Sequence, residues 1–408
     1  MKLGYGVLLT GLLVSLAGVA QAATSDADEV ARLRAQVEAL SARLTELERR
    51  SERTSVAVED LQSEPAPTAA AADPALDWAR KVQLKGDLRY RHEWIDEQGD
   101  PDRTRHRIRA RFGAKGALSD DLQVQLQFAT GSDDPRSTNQ TLGDNFTTKG
   151  VGVDLAYVDW AALDGVHVLA GKMKNPVSRP DGSRFIDNDI TPEGIAATWQ
   201  QGNLFLLGSG FWAVERGSDD DTMAMVVQGG YRGRLDNGMS LTAAVSYTDW
   251  MNARGYAPFY DGNPFGNSTD AGGNLLYDFN ILEGYGELGL SVRDMPLRLF
   301  AQYGVNLDAN DDDTAFALGA TLGKASGPGT WEVGYAYQDV EKDALFAQIV
   351  DSDFAGGQTD ARGHIISGTY ALTSKVGLSL TFFANELDVS VPSQRDYDRL
   401  QLDLNFKY

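Results

Sequence analysis

The chain has 408 residues, with 58 acidic against 37 basic side chains and a formal net charge of −21. Beyond the N-terminal segment it contains no run of 18 apolar residues, which excludes an ordinary helical membrane protein. The strongly acidic balance argues against a nucleic-acid partner, and the absence of cysteine excludes disulfide support in any exported form.

Residues 1–22 have the pattern of a secretory signal peptide. Lys2 supplies the positive start, residues 7–19 form the apolar stretch, and Ala20-Gln21-Ala22 provides a cleavage site. The alternative is an uncleaved membrane anchor, but the apolar stretch is short for a membrane span. We therefore expect an exported protein.

A heptad repeat over residues 29–62 predicts a coiled coil within residues 23–63, and residues 64–80 follow as a Pro/Ala-rich linker. The apolar a and d positions are Val30, Leu33, Val37, Leu40, Leu44, Leu47, Val58 and Leu61. A pattern sustained over four heptads favours association between chains. The alternative is a single amphipathic helix that packs on its own domain. Ser51 and Thr54 weaken the centre, so the pattern does not set the number of helices.

Residues 81–408 predict an antiparallel β-barrel of sixteen strands. Apolar and polar residues alternate in most of these strands, as in residues 122–128, where the polar positions are all glutamine. Seven short turns alternate with eight longer connections, which together join sixteen strands. This alternation is typical of outer-membrane barrels, and an even strand number leaves both chain ends on the periplasmic side. A soluble β-sandwich or β-propeller is the alternative, but neither requires the alternation, and no blade repeat is present.

Five arginines occupy every second position from Arg103 to Arg111. Residues two apart in a strand share a face, so the arginines line one side, and the intervening residues, which include Ile108 and Phe112, line the other. A barrel wall with a wet lumen inside and lipid outside accommodates both faces. On this segment alone, the alternative is an exposed edge strand of a soluble protein.

The residue pattern of the last strand indicates how the barrel is inserted into the membrane. Its apolar positions are Leu400, Leu402, Leu404, Phe406 and Tyr408, which alternate with polar residues and end the chain on an aromatic. This ending resembles that of outer-membrane barrels folded by the bacterial barrel-assembly machinery, in which phenylalanine is the commoner last residue.

Two stretches carry a resemblance to a family. Residues 171–176 and residues 187–194 resemble the bacterial outer-membrane porins that have an N-terminal periplasmic coiled coil. The layout is also distantly similar to that of phosphate- and dicarboxylate-selective trimeric porins. The resemblance implies a homotrimer in the outer membrane, in contact with lipid and lipopolysaccharide, through which small hydrophilic solutes diffuse passively. It also implies that the connection 175–192 folds into the barrel and narrows it.

Strand parity and this connection supply the candidate pore-lining and selectivity residues. They are Lys85, Arg89, Arg91, Arg105, Arg107, Arg109, Arg111, Lys172, Lys174, Arg179, Arg184, Asp187 and Asp189. Rings of arginine and lysine favour anions, and arginine suits bidentate contacts with carboxylates. We therefore expect a preference for small anions such as carboxylates. The alternative for the arginines is that they pair with lumen carboxylates and stiffen the wall, and the alternative function is a non-conducting structural or adhesive barrel.

The sequence contains no motif for catalysis, a cofactor or a metal ion. The four histidines, His92, His106, His167 and His364, fall by parity with the lipid-facing residues, and no nucleophile motif accompanies them. We therefore expect no enzymatic activity. Residues 219–221 and 311–313 are aspartate triplets in predicted external loops, and we interpret them as solvated acidic loops rather than divalent-cation sites at the lipopolysaccharide surface.

Overall fold

The computed structural model describes residues 38, 42, 43, 45, 46 and 49, residues 81–236 and residues 238–408. The chain divides into two compact units, Met1–Asp77 and Trp78–Tyr408. In the first unit, the six described residues are helical and exposed. The signal peptide, the eight apolar heptad positions and the linker lie outside the described residues, so these parts of the domain organisation stay predictions.

The second unit is a closed antiparallel barrel of sixteen strands. In chain order the strands are β1 Val82–Glu97, β2 Arg103–Ala117, β3 Leu122–Thr130, β4 Val151–Leu163, β5 Val166–Lys172, β6 Glu193–Gln201, β7 Leu204–Val214, β8 Thr222–Arg234, β9 Ser240–Met251, β10 Phe279–Val292, β11 Met295–Asn306, β12 Thr314–Gly323, β13 Trp331–Val340, β14 Ala361–Ala371, β15 Val376–Leu387 and β16 Arg395–Lys407. A two-residue strand, Gln140–Thr141, and two short 3-10 helices, Ala347–Ile349 and Phe354–Gly357, lie in the connections. The predicted barrel and its strand number are confirmed.

Hydrogen bonding runs around the whole sheet. Each strand pairs antiparallel with its neighbour in sequence, and β1 closes the ring on β16 over eleven residue pairs, from Asp87 opposite Lys407 to Glu97 opposite Tyr397. Closure is what a β-structure requires in lipid, because an unpaired backbone group has no water to bond there.

Long and short connections alternate, as the sequence predicts. The long connections, numbered here as the first to eighth loops, are residues 98–102, 131–150, 173–192, 215–221, 252–278, 307–313, 341–360 and 388–394. The short ones are residues 118–121, 164–165, 202–203, 235–239, 293–294, 324–330 and 372–375. Because consecutive strands are antiparallel, all eight loops leave the same end of the barrel, which in outer-membrane barrels is the external end.

The two faces of the wall differ in the way that lipid outside and a polar lumen inside require. On β1, Leu84 and Leu88 are 63% and 43% exposed on the outer face, whereas Arg91 and Glu93 on the inner face are 3% and 0% exposed. The predicted parity is therefore present, with polar side chains turned inward.

The apolar core lies inside the barrel, between the wall and two loops that fold inward. Phe346 of the seventh loop packs against Trp250 and Phe279 of the wall, with ring centroids 4.5 Å and 5.0 Å apart. Phe185 of the third loop is 1% exposed in the same cluster. Burial of these aromatic rings holds both loops within the lumen.

Several hydrogen bonds join the fifth loop to the seventh, and the buried amide of Asn267 makes three of them. The side-chain nitrogen of Asn267 donates hydrogen bonds to the carbonyl oxygens of Lys342 at 2.8 Å and Leu345 at 3.0 Å. Its side-chain oxygen accepts a hydrogen bond from the Ala347 N–H at 2.9 Å. The amide therefore satisfies three backbone groups of the seventh loop that have no strand to pair with.

In the described part of the chain, no helix is long and apolar enough to cross a membrane.

Closure at the C-terminus generates a test of barrel stability. The backbone N–H of Tyr408 donates to the carbonyl oxygen of Gly86 at 3.1 Å, and the Tyr408 hydroxyl donates to the carbonyl oxygen of Arg111 at 3.2 Å. A Cβ at Gly86 would overlap the Tyr408 ring and lie 2.6 Å from the Arg111 oxygen. We expect Gly86→Ala to cost about 1–3 kcal/mol, as overpacking usually does, and to lower the midpoint of heat denaturation.

The matched control for this substitution is Gly116→Ala in the neighbouring strand β2. A Cβ at Gly116 has its nearest contact at 3.8 Å, with a methyl group of Val82, which is an ordinary packing distance. The midpoint is read from the loss of the folded band on gels after heating. Equal midpoints for the two variants would contradict the structural role of the Gly86–Tyr408 contact.

Candidate functional site

The candidate site is the inner face of three neighbouring strands, here called the arginine wall. Its inward side chains are Asp87, Arg89, Arg91 and Glu93 on β1, Arg105, Arg107, Arg109 and Arg111 on β2, and Arg399, Gln401 and Asp403 on β16. The register places Arg91 opposite Arg107 on one side and opposite Asp403 on the other. Like charges therefore face each other between β1 and β2, and this arrangement needs carboxylates nearby.

At the end nearer the short turns, one carboxylate serves two arginines. Asp87 accepts hydrogen bonds from Arg109 at 2.9 Å and from Arg111 at 2.7 Å. Asp189 of the third loop lies 3.8 Å and 3.7 Å from the same two guanidinium groups. The third loop thus presents a carboxylate to the arginine wall.

The middle of the wall holds a buried network around Asp353 of the seventh loop. Arg91 forms a bidentate pair with Asp403, at 2.7 Å and 2.8 Å, and lies 3.0 Å from Asp353. Arg399 lies 2.7 Å from Asp353 and donates to Glu93 at 2.9 Å. Bidentate, charge-assisted contacts of this kind are among the stronger side-chain hydrogen bonds.

Glu93 joins all three strands of the wall. It is 0% exposed and forms ion pairs with Arg105 on β2 and with Arg399 on β16. A fully buried carboxylate is tolerated only when it is paired in this way.

Arg89 and Arg107 differ from the other arginines because no carboxylate lies close to them. Arg89 donates to the side-chain oxygen of Asn139 at 2.6 Å, and its ion pair with Asp403 is long, at 3.9 Å. Arg107 donates to Ser137 Oγ at 3.3 Å and to the Asn139 carbonyl oxygen at 3.4 Å, and it forms no ion pair with any described residue. The Nε atoms of both arginines are buried without a hydrogen-bond partner.

Two of the cations predicted in and beside the third loop, Lys172 and Arg184, pair with carboxylates and fix the position of that loop. Lys172 donates to Glu193 at 3.0 Å, which pairs the base of the loop across β5 and β6. Arg184 lies 3.1 Å from Asp351 of the seventh loop. These contacts tie the two inward loops to each other and to the wall.

Three further predicted residues take no part in the ion-pair network of the arginine wall. Arg179 donates to the side chain of Asn188 at 2.8 Å. Lys85 and Lys174 are exposed. The structure therefore brings together the six predicted arginines of β1 and β2 with Asp189, and leaves Lys85 and Lys174 outside.

Several members of the site were not among the residues predicted for it, including Arg399, Asp403, Asp353 and Asn139. Arg399 and Asp403 share the parity of Gln401 in the last strand, so the alternation there could have identified them. Asp353 and Asn139 lie in loops, where no periodicity indicates which side chain turns inward. Loop residues of this kind are located only by the folded chain.

Two loop carboxylates have displaced pKa values of opposite sign. Burial by itself would raise the pKa of Asp353, but Arg399, Arg91 and the other nearby arginines hold it well below its ordinary value. Burial, followed by the charges of Asp351 and Asp189, raises the pKa of Asp187 well above its ordinary value. Asp187 instead accepts hydrogen bonds from the backbone N–H groups of Ser352 and Asp189, both at 2.8 Å.

A polar cavity of about 370 Å³ lies between the arginine wall and the two loops. Its walls include Arg89, Arg91 and Arg109, the loop residues Asp187, Asp189, Asp351 and Asp353, and the hydroxyl side chains Ser367, Thr369, Ser379 and Thr381 of β14 and β15. Arginines of the wall and carboxylates of the loops thus border the same cavity, and charged side chains of both signs around a pore set its selectivity. Among the described residues, no cluster of His, Asp or Glu side chains could hold a metal ion.

The Asp353 network generates a pH-dependent prediction. Asp353→Asn removes one charge from a buried pair with Arg91 and Arg399, a change that typically costs about 3–5 kcal/mol. We expect a lower heat-denaturation midpoint and faster proteolysis of the seventh loop in vesicles. Because the folded pKa is depressed, the stabilisation by Asp353 is complete at neutral pH and is lost as the pH falls through that pKa, so the difference between variant and parent should shrink in acid.

The control for this prediction is Asp388→Asn in the eighth loop. Asp388 pairs with Arg395 at 2.6 Å, but both side chains are more than a third exposed, at 38% and 34%, and such a surface pair contributes little. A difference between Asp353→Asn and the parent that stays constant from neutral to acid pH would contradict the electrostatic role of Asp353.

Comparisons with known proteins agree with this architecture. The sequence matches the model of the family described as "Putative porin" over residues 94–261 and 278–408, more than half of the chain. No curated protein sequence matches the chain.

Two solved porin structures have a similar fold. OprB of Pseudomonas putida has a TM-score of 0.58 and 14% sequence identity, over 81% of this chain and 95% of that chain. A variant of the Rhodopseudomonas blastica porin has a TM-score of 0.50 and 14% identity, over 80% of this chain and 100% of that chain. At this level of identity the similarity concerns the fold alone. The family match, together with a closed sixteen-stranded barrel, shows that the chain belongs to this porin family and is an outer-membrane porin.

Proposed function

We propose that this porin conducts small hydrophilic solutes with a preference for anions, small carboxylates among them, and that Arg89 and Arg107 carry the preference. The observation that supports this proposal is that, among the described residues, neither guanidinium has a carboxylate at hydrogen-bond distance: Arg89 lies 3.9 Å from Asp403, and Arg107 contacts only Ser137 and Asn139. The other arginines of the wall pair closely with Asp87, Glu93, Asp353 and Asp403. The charges of Arg89 and Arg107 therefore remain available to an anion.

The physical reason lies in the charge of a guanidinium that no nearby carboxylate neutralises. Such a charge attracts an anion, and the attraction is stronger inside the barrel than in bulk water because the surroundings have a lower dielectric constant. The guanidinium fork suits a carboxylate, which can accept two hydrogen bonds at once. An anion therefore gains an interaction at this level of the lumen that a cation does not.

The acidic balance of the whole chain does not oppose this preference. Charges on the external loops are screened in solution over about 8–10 Å at physiological ionic strength. Arg89 and Arg107 lie inside the barrel, where low dielectric surroundings and little salt weaken screening. The local charge of the constriction therefore governs selectivity more strongly than the net charge of −21.

The test is the reversal potential of the purified protein in a planar bilayer under a salt gradient. We expect stepwise conductance with an anion preference in the parent, and a several-fold smaller ratio of anion to cation permeability in the double variant Arg89→Gln/Arg107→Gln. Arg103→Gln is the matched control, because Arg103 continues the same alternation but is exposed at the outer end of β2. It should leave the ratio close to that of the parent.

Three other outcomes would contradict the proposal. Cation preference in the parent would assign selectivity to the lumen and loop carboxylates. An equal reduction by Arg103→Gln would assign it to the charge of the mouth rather than to Arg89 and Arg107. Absence of conductance would favour the alternative of a structural or adhesive barrel without a pore.

We further infer, from the family resemblance, that the protein is a homotrimer with its coiled coil in the periplasm, folded by the barrel-assembly machinery and in contact with lipopolysaccharide. An even number of strands supports the periplasmic position of the N-terminal segment, because both ends of the barrel chain then lie on the side of the short turns. Crosslinking in native membranes should yield a ladder that ends at three subunits. A ladder that ends at two would contradict the trimer.

A further inference from the structure

The wall of the barrel has a gap beside the third loop. Strand β5 has only seven residues, whereas a membrane-spanning strand needs about 9–11. Pairing between β4 and β5 stops at Lys172, so residues 151–155 of β4 have no partner on that side. Residues 212–214 of β7 likewise pair with β8 but not with β6.

The gap lies at the depth of the lipid and is wide enough for a small molecule. Strands β4 and β7 are three strand spacings apart, which corresponds to roughly 14 Å. Above the short hairpin of β5 and β6 this interval contains no strand, because the chain turns inward as the third loop. The shortfall in strand length places the gap within the apolar band of the membrane.

A cavity of about 520 Å³ connects this gap with the interior of the barrel. Its lining includes Val151, Val153 and Trp212 at the edges of the gap, which are 65%, 49% and 51% exposed on the outer face. The same lining includes Trp250 and Phe346 of the internal core. One cavity therefore runs from the outer surface to the centre, with apolar side chains at both ends.

The polar groups of this cavity are mostly acidic. Its one lysine or arginine among the described residues is Lys172, which is already paired with Glu193 at 3.0 Å. Asp133, Asp154 and Glu283 also line it, and none of the three forms an ion pair with a described residue.

Glu283 lies on β10, turned into the barrel. Its carboxyl interacts with Ser246 and Gln302, and the charge of Arg179 acts on it from the third loop without an ion pair. Glu283 is thus an acidic side chain at the inner end of the cavity. The cation near it, Arg179, lies too far away to form an ion pair.

We propose that this cavity is a second binding site, for small molecules with an aromatic or alkyl body and a positively charged head. The body packs against Trp250 and Phe346, and the head lies near Glu283. The volume falls within the usual range of about 300–1,000 Å³ for small-molecule sites, and tryptophan attracts cations through its ring face. The gap in the wall is the entrance from the membrane. The site does not depend on the proposed anion preference, because Arg89 and Arg107 are not part of it.

The unpaired strand edges at the gap are compatible with this role. Irregular backbone at membrane depth is tolerated where it lines a water-filled or protein-enclosed cavity rather than lipid. Residues 151–154 and 212–213 line the cavity. Water or a bound molecule within it can satisfy their backbone groups.

The experiment uses the purified full-length protein in lipid nanodiscs and two probes that share a body and differ in charge. These are para-bromophenethylammonium and para-bromophenylacetate, whose bromine quenches tryptophan fluorescence on contact. We expect saturable quenching by the ammonium probe, with an affinity roughly tenfold higher than that of the carboxylate probe. Trp250→Phe should remove the part of the quenching that reports the inner end of the cavity, while Trp212 at the gap still responds.

Two pairs of variants separate the head group from the entrance. Glu283→Gln should weaken binding of the ammonium probe roughly tenfold, and Glu287→Gln, on the same strand and face but outside the cavity, should not. Gly152→Phe should reduce quenching strongly because a side chain there enters open space in the cavity, whereas Gly208→Phe, which also meets no atom within 4 Å, lies outside it and should not. Heat-modifiable gel mobility verifies that each variant is folded.

Several results would overturn the inference. Equal affinity for the two probes, or no effect of Glu283→Gln, would remove the charged-head assignment. Absence of saturable quenching, or full quenching in Trp250→Phe, would remove the site. Full quenching in Gly152→Phe would remove the entrance, as would a second copy of the chain found crosslinked over residues 151–155. None of these measurements depends on ion selectivity, so they are independent of the reversal-potential test.

Discussion

The requirement that backbone groups in lipid be paired within the protein governs this structure. It closes β1 on β16 and makes every strand antiparallel to its neighbours, so that all long loops leave one end of the barrel. Closure also separates the two faces of each strand, because a residue that faces lipid must be followed by one that faces the lumen. The five arginines from Arg103 to Arg111 are acceptable at this density only because the inner face is closed off from lipid.

Once so many cations share the inner face, carboxylates must be brought to them, and the loops supply several. Asp189 reaches Arg109 and Arg111 from the third loop, and Asp353 reaches Arg91 and Arg399 from the seventh. The same ion pairs that neutralise the wall hold these loops in the lumen. The expectation that the arginines pair with carboxylates and the expectation that they attract anions therefore apply to different residues. Most arginines of the wall pair closely with carboxylates in the described part of the chain, and Arg89 and Arg107 are the two that do not.

The inward turn of the third loop has a structural cost at the wall. Because the chain leaves the sheet at Lys172 and returns at Glu193, β5 and β6 are short and the wall is open beside them. The lumen is thereby divided into two unlike parts. One part is polar and is bordered by the arginine wall. The other part is lined by apolar and acidic side chains and extends to the gap in the barrel wall.

The sequence by itself determined the barrel, its sixteen strands, the order of long and short connections and the side on which each strand residue lies, because all of these follow from a period of two and from turn residues. It also indicated the six arginines of β1 and β2, since they share that period. Only the tertiary structure decided which arginines are neutralised and by which loop carboxylate. Asp353 pairs with Arg91 and Arg399, which lie about 260 and 46 residues away from it in the chain. Loops carry no sequence period that could indicate such contacts. The sequence pattern likewise could not predict the gap beside β5. The gap depends on how far the neighbouring strands β4 and β7 extend past the point where the third loop turns inward.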